Sequence, residues 1–213
     1  MKALRNWIDD RTGIVSGVGA WLARPMPGGP AWRFVWPTTI AFTFVVQIIT
    51  GMVMWMYYSA GAQSSWESVY YFQYRVQAGW LLRATHFYAG QATLVLVGIY
   101  LLQMIFRGTY RAPREFLFWT VLLMGLATLG LHLTGDMLSW DQNGYWAGHV
   151  RTGYLFLVPQ AGQWIYKLAV GGAEFGSLTL TRFLSLHIGA CCAGLALLLG
   201  LHEIGRASCR ERV

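Results

Sequence analysis

The sequence predicts an all-α membrane protein with four spanning helices, and three observations carry that prediction. Its 213 residues are 55% hydrophobic and only 12% charged, a balance that suits a membrane protein better than a soluble domain. Four segments reach the roughly 20 mostly apolar residues that a helix needs to cross hydrocarbon. Eleven Trp and eleven Tyr gather near the ends of those segments, as expected for rings at the lipid–water boundary.

Residues 1–32 read as an amphipathic segment on the membrane surface, with Trp7, Ile8, Val15, Val18, Trp21 and Leu22 as its apolar members. The PMPGGP run, Pro25 to Pro30, separates it from the first span. Residues 33–202 form the membrane domain. Its spans run from about Phe34 to Tyr58, Trp80 to Phe106, Phe116 to Leu133 and Leu178 to Leu201. The link from Ser59 to Gly79 is short and aromatic. The link from Gly135 to Ser177 is long; it contains WDQNGYWAGHVRTGY and then a second helix near Gln160–Ala169, so a helical hairpin is expected between spans three and four. Residues 203–213, EIGRASCRERV, change composition abruptly. They resemble a translated sequencing-adapter read; the other reading is a basic cytoplasmic tail.

Orientation follows from Lys and Arg. Lys2, Arg5, Arg11, Arg24 and Arg33 precede the first span, and Arg107, Arg111 and Arg114 follow the second. The positive-inside tendency puts both termini on the cytoplasmic side. The net charge of +7 therefore reads as topology, and no motif points to nucleic acid. Cys191 and Cys192 read as small packing residues, and no CxxCH marks a covalently attached haem.

Ionisable groups inside spans are costly and default to functional candidates. His86 lies in the second span; His187 and His202 lie in the fourth, 15 residues apart. Fourteen residues after His86 stands Tyr100. Steps of 14 or 15 return to nearly the same helix face about 21–23 Å further along. Two helices with histidines spaced in this way could hold two stacked haems, each with an imidazole on either side. Here one pair is complete, His86 with His187, and the other sets His202 against a tyrosine. Gly51 and Gly135 would allow the close helix approach that a flat macrocycle requires. Arg83, one turn before His86, and Arg182, near His187, could pair with propionates; the alternative is that each snorkels to water.

The stretches QIITGMVMWMYY (47–58), WESVYY (66–71), GWLLRATH (79–86), YRAPREF (110–116), SWDQNGYWA (139–147) and LTRFLSLH (180–187) together resemble the N-terminal, haem-bearing half of cytochrome b from quinol:cytochrome c and quinol:plastocyanin oxidoreductases. The 15-residue step from His187 to His202 resembles the short form, in which this half is a separate polypeptide. The resemblance implies a four-helix bundle with two b haems and a quinol oxidation site on the outer side. It implies His86 and His187 as axial ligands of an outer haem, with Gln47, Gly51, Met54, Arg83, Gly135 and Arg182 around it. It further implies, as partners, a C-terminal half or subunit-IV-like protein, a Rieske-type iron–sulfur protein and a c-type cytochrome, in a dimeric complex of the bacterial inner membrane.

The departures cluster. Where the family has an inner-haem histidine, this chain has Tyr100; where it has glycines on the first and third helices, this chain has Pro37 and Val121. Three inner-site features are lost together and His202 alone remains. The expectation is one retained outer haem, with the inner haem absent or altered; a His202–Tyr100 ligand pair is the alternative, since tyrosinate can ligate ferric haem. At the outer end the family's TGYxLPWDQ reads TGDMLSWDQ, with Asp136 and Ser139 substituted. His132 lies four residues before Asp136, so the two could meet on one helix face and relay protons from a quinol, or simply satisfy each other at the membrane edge. His149 reads as a surface residue. No PEWY-type motif is present. The expected function is that of a haem-b electron-transfer subunit of a quinol:cytochrome c-type oxidoreductase, incomplete as an enzyme alone. The competing reading is a divergent membrane scaffold with little electron transfer.

Overall fold

The structure, a computed structural model, describes residues 2–22 and 32–211. It contains two compact units, Met1–Val35 and Trp36–Val213. In the first, α1 (Lys2–Thr12) and α2 (Ile14–Leu22) are joined at Gly13, whose φ of +62° is one that glycine adopts without steric cost. Asp9 closes the turn by accepting from the Ser16 backbone N–H at 2.8 Å and its hydroxyl at 3.0 Å. The expected break at Pro25–Pro30 lies outside the described residues.

Among the described residues, four helices are long and apolar enough to cross a membrane: Val35–Trp55 within α3 (Trp32–Trp55), α5 (Gly79–Phe106), α6 (Glu115–Leu138) and the continuous Ser177–Arg206 stretch. These match the expected spans, but α6 continues to Leu138, beyond the expected end at Leu133. The spans turn large apolar side chains outward, among them Phe42, Met52, Val95, Leu126 and Leu197. Hydrocarbon, not protein, is the solvent that such surfaces fit.

The Ser59–Gly79 link is not irregular. It forms α4 (Ser65–Arg75), pinned by the buried Ser65 and Phe72. Its aromatics, read from sequence as boundary residues, hide a helix of about three turns. The long link folds as expected into α7 (Gln142–Gly153), a 3₁₀ turn and α8 (Gly162–Val170). Asp141 caps α7, accepting from the Gly144 N–H at 2.7 Å, a standard use of Asp at a helix start.

The fourth span is composite: α9 (Ser177–Ser185), a π turn (Leu186–Cys192) that contains His187, and α10 (Ala193–Glu211). The π turn sets the register. At 100° per residue a 15-residue step overshoots four turns by about 60°, whereas 14 residues fall about 40° short. One residue absorbed by i→i+5 hydrogen bonding makes the 15-residue step behave as about 14. His187 and His202 then keep the same mutual phase as His86 and Tyr100 on α5.

The continuous apolar core occupies one end of the bundle. Ile40 and Phe44 of α3, Val97 and Met104 of α5, Val121 and Met124 of α6, and Leu195 and Leu199 of α10 form one cluster with Tyr100 and Leu117. All lie toward His202. Among the described residues, no comparable buried cluster lies toward His86.

Candidate functional site

At the His86 end, α5 and the π turn bring two imidazoles opposite each other across the bundle. The ring centroids of His86 and His187 are 6.5 Å apart, tilted by 58°. Behind each ring a glycine leaves the space that a side chain would fill. A Cβ on Gly51 of α3 would stand 2.9 Å from His86 Cε1, and one on Gly135 of α6 would stand 3.0 Å from His187 Cε1. The residue before each glycine is a threonine. Thr50 Oγ1 lies 2.9 Å from His86 Nδ1, and Thr134 Oγ1 lies 3.0 Å from His187 Nδ1. The site is thus built twice, by Thr-Gly on α3 against α5 and by Thr-Gly on α6 against the fourth span. The Gln47 side-chain amide donates to the His86 carbonyl, tying α3 to α5. Met54 lies half-buried near the end of α3.

These residues fit a bis-histidine haem. Two metal–nitrogen bonds of about 2 Å, plus the half-width of each ring, call for about 6 Å between centroids. The glycine cradles also let the helix backbones lie close against the rings. Among the described residues there is no cluster of three or more His, Cys, Asp or Glu; His86 and His187 are the residues that would hold the iron of such a group.

At the other end the same helices close up. Tyr100 Oη is 2.9 Å from His202 Nε2, with ring centroids 5.5 Å apart and planes at 89°. Thr120 Oγ1 is 2.9 Å from His202 Nδ1. Both nitrogens of His202 therefore have protein partners, and the ring is only 1% exposed. Pro37 and Val121 are fully buried. Leu117, Met124, Leu195 and Leu199 complete the packing.

The remaining expected site residues have other partners. Arg83 donates to the Gln73 side chain on α4. Arg182 donates to the carbonyls of Lys167 and Leu168, the last turn of α8, where a cation offsets unpaired carbonyls. Both arginines thus tie the connecting helices to the spans. The suggested His132–Asp136 pair is not formed. Asp136 bonds Arg151 of α7 at 2.8 Å, while His132 Nε2 faces Gln91 Nε2 of α5 at 3.4 Å. Spacing of i, i+4 permits contact, but each side chain meets a partner from another helix first. His149 is also not a simple surface residue: it stacks on Phe175 at 3.9 Å and lies 4.6 Å from the Tyr145 ring. The threonines were not singled out by sequence reading. The signal available was the repeated Thr-Gly dipeptide, at 50–51 and 134–135, each opposite a histidine.

Comparisons with known proteins agree with this architecture. The family model described as cytochrome b/b6/petB matches residues 24–204. The chain is 32% identical over 184 residues to cytochrome b of Rhodobacter capsulatus, covering 86% of this chain and 42% of that one. It is 30% identical over 187 residues to cytochrome b6 of Porphyra purpurea, covering 88% and 87%. The chain thus spans less than half the length of the longer relative and most of the shorter. A solved structure titled "Hyperthermophilic respiratory Complex III" has the same fold, with a TM-score of 0.81 at 24% identity over 94% of this chain and 54% of that one. A helical membrane bundle matched over most of its length by this family model and by relatives at 30% identity or more belongs to the cytochrome b/b6 family.

Proposed function

We propose that the chain is the haem-b electron-transfer subunit of a membrane quinol:cytochrome c-type oxidoreductase, and that it keeps a single bis-histidine haem. The observation that carries this reading is the contrast between the two pairs: 6.5 Å between ring centroids for His86 and His187, against a direct 2.9 Å hydrogen bond between Tyr100 and His202. His86 and His187 supply the axial nitrogens, Gly51 and Gly135 leave room for the rings, and Gln47 holds the α5 backbone that carries His86. Haem bound there supplies one-electron chemistry by cycling between ferric and ferrous iron. At the other end Tyr100 occupies the position where a metal would meet His202 Nε2. A tyrosine that donates its proton to histidine is a poor metal ligand. That favours loss of the second haem over a tyrosine-ligated one.

The same reading takes quinol as substrate. Its partners are a C-terminal half or subunit-IV-like chain, a Rieske-type iron–sulfur protein and a c-type cytochrome, in a dimeric complex. The basic residues before the first span and after the second support a topology with both termini cytoplasmic, and the reading takes the membrane to be a bacterial inner membrane. The test is the haem-to-protein ratio of the purified chain by pyridine haemochrome, with low-spin spectra. A ratio of one is expected; a ratio of two with two low-spin signals overturns the single-haem reading.

The conversion of the His202 end into ordinary core also motivates a second reading, in which the chain acts as a scaffold subunit. His86→Ala separates the two. Loss of turnover is expected for the electron carrier, and unchanged turnover in an intact complex for the scaffold.

A further inference from the structure

We propose that Thr50 and Thr134 are positioning residues that fix the proton of each axial imidazole on Nδ1 and so leave Nε2 unprotonated toward the pocket. The inference rests on the haem reading above and follows from counting hydrogens. A threonine hydroxyl has one hydrogen to donate. Thr50 Oγ1 lies 2.7 Å from the Val46 carbonyl, and Thr134 Oγ1 lies 2.7 Å from the Gly130 carbonyl. A carbonyl oxygen only accepts, so each hydroxyl hydrogen is committed to its own helix backbone. What each threonine then offers histidine is a lone pair. The contacts of 2.9 Å to His86 Nδ1 and 3.0 Å to His187 Nδ1 must therefore be N–H donations from the rings. A neutral imidazole with its proton on Nδ1 carries its free lone pair on Nε2, the form that ligates a metal.

The third threonine acts as an internal control. Thr120 donates to the Leu117 carbonyl at 2.8 Å and lies 2.9 Å from His202 Nδ1, so by the same count His202 also carries its proton on Nδ1. Its Nε2 lone pair is met by the Tyr100 hydroxyl at 2.9 Å. One tautomer device thus operates at three histidines, and the group facing Nε2 differs between the two ends. The adjacent glycines complete the unit at the His86 end: the threonine fixes the proton, and the missing Cβ lets the ring lie against the helix.

The experiment uses the haem-loaded chain purified from membranes and compares Thr50→Val and Thr134→Val with Thr50→Ser, Thr134→Ser and Thr120→Val. The readouts are the haem midpoint potential and the low-spin electron paramagnetic resonance signal. Valine keeps the shape of threonine and removes the acceptor, so the ring is less electron-rich and the ferrous state is favoured. The midpoint should move positive in both valine variants and return in both serine variants, while Thr120→Val leaves it unmoved. Haem retention should fall by about tenfold or more in the valine variants, the range for lost second partners of metal-bound histidines. Haem lost with valine but kept with serine supports the inference equally. It is overturned if valine leaves potential and spectrum unchanged, if serine is displaced as far as valine, or if Thr120→Val shifts the potential as much. A wild-type chain that binds no haem overturns the functional reading itself, which is a distinguishable result.

Discussion

At one end of the bundle two histidine rings stand 6.5 Å apart with glycine backbone behind each. At the other, a histidine and a tyrosine touch at 2.9 Å among a buried proline, a buried valine and a continuous apolar core. The same four spans build both. On the single-haem reading proposed above, the difference illustrates what it takes to close a cofactor site in a membrane. Removing a ligand alone would leave a cavity and an orphaned imidazole, both costly. Here the hydroxyl of Tyr100 satisfies the imidazole, and Val121 and Pro37 fill volume that glycines would have left open. The core is continuous where the site is closed and interrupted where the site is open.

The largest effect should come from breaking the open end. His187→Ala should abolish haem binding, whereas His202→Ala should leave the pyridine haemochrome ratio at one. Equal loss in both variants would erase the distinction between the ends. Gly135→Val should also empty the site, because a Cβ at that position already stands 3.0 Å from His187 Cε1, and a branched side chain cannot be accommodated without moving the ring. The converse experiment rebuilds the closed end. Tyr100→His combined with Pro37→Gly and Val121→Gly should raise the haem ratio from one toward two, read by the same assay with a second low-spin signal.

Smaller changes sharpen the comparison. Tyr100→Phe removes the partner of a buried imidazole nitrogen and should destabilise the chain by about 1–3 kcal/mol, seen as a lower midpoint of thermal unfolding in detergent with the haem ratio unchanged. The smallest effect is expected for Asp136→Asn. Its bond to Arg151 is partly exposed, at 24% and 32% side-chain exposure, so the loss should be about 1 kcal/mol or less. A large loss of haem in that variant would show that the α6–α7 bridge supports the open end more than its exposure indicates.

Much of this was legible in the chain itself. Four apolar runs gave four spans, since helix length in hydrocarbon is fixed by bilayer thickness. The 14- and 15-residue steps put His86 and Tyr100 on one face of their helix and His187 and His202 on one face of theirs, at matching separations, because such spacing is a property of single helices. The clustering of Tyr100, Pro37 and Val121 marked one end as altered. What escaped was local structure without a strong apolar period, such as α4, and the hydrogen-bond partners that polar side chains find on other elements. Arg83 and Arg182 were near the expected pocket in sequence but bond the connecting helices. Asp136 lay one turn from His132 and yet bonds Arg151.

The sequence by itself thus determined the spans, the family and which pair of histidines could share a metal, because those depend on composition and on repeats along one helix. Only the tertiary structure decided that the π turn brings the 15-residue step into phase with the 14-residue one, that three threonines face three imidazoles, and that Tyr100 meets Nε2 of His202. Each of these depends on which side chain another helix delivers to a given point. A pattern along one chain segment does not encode that distance; packing across the bundle does.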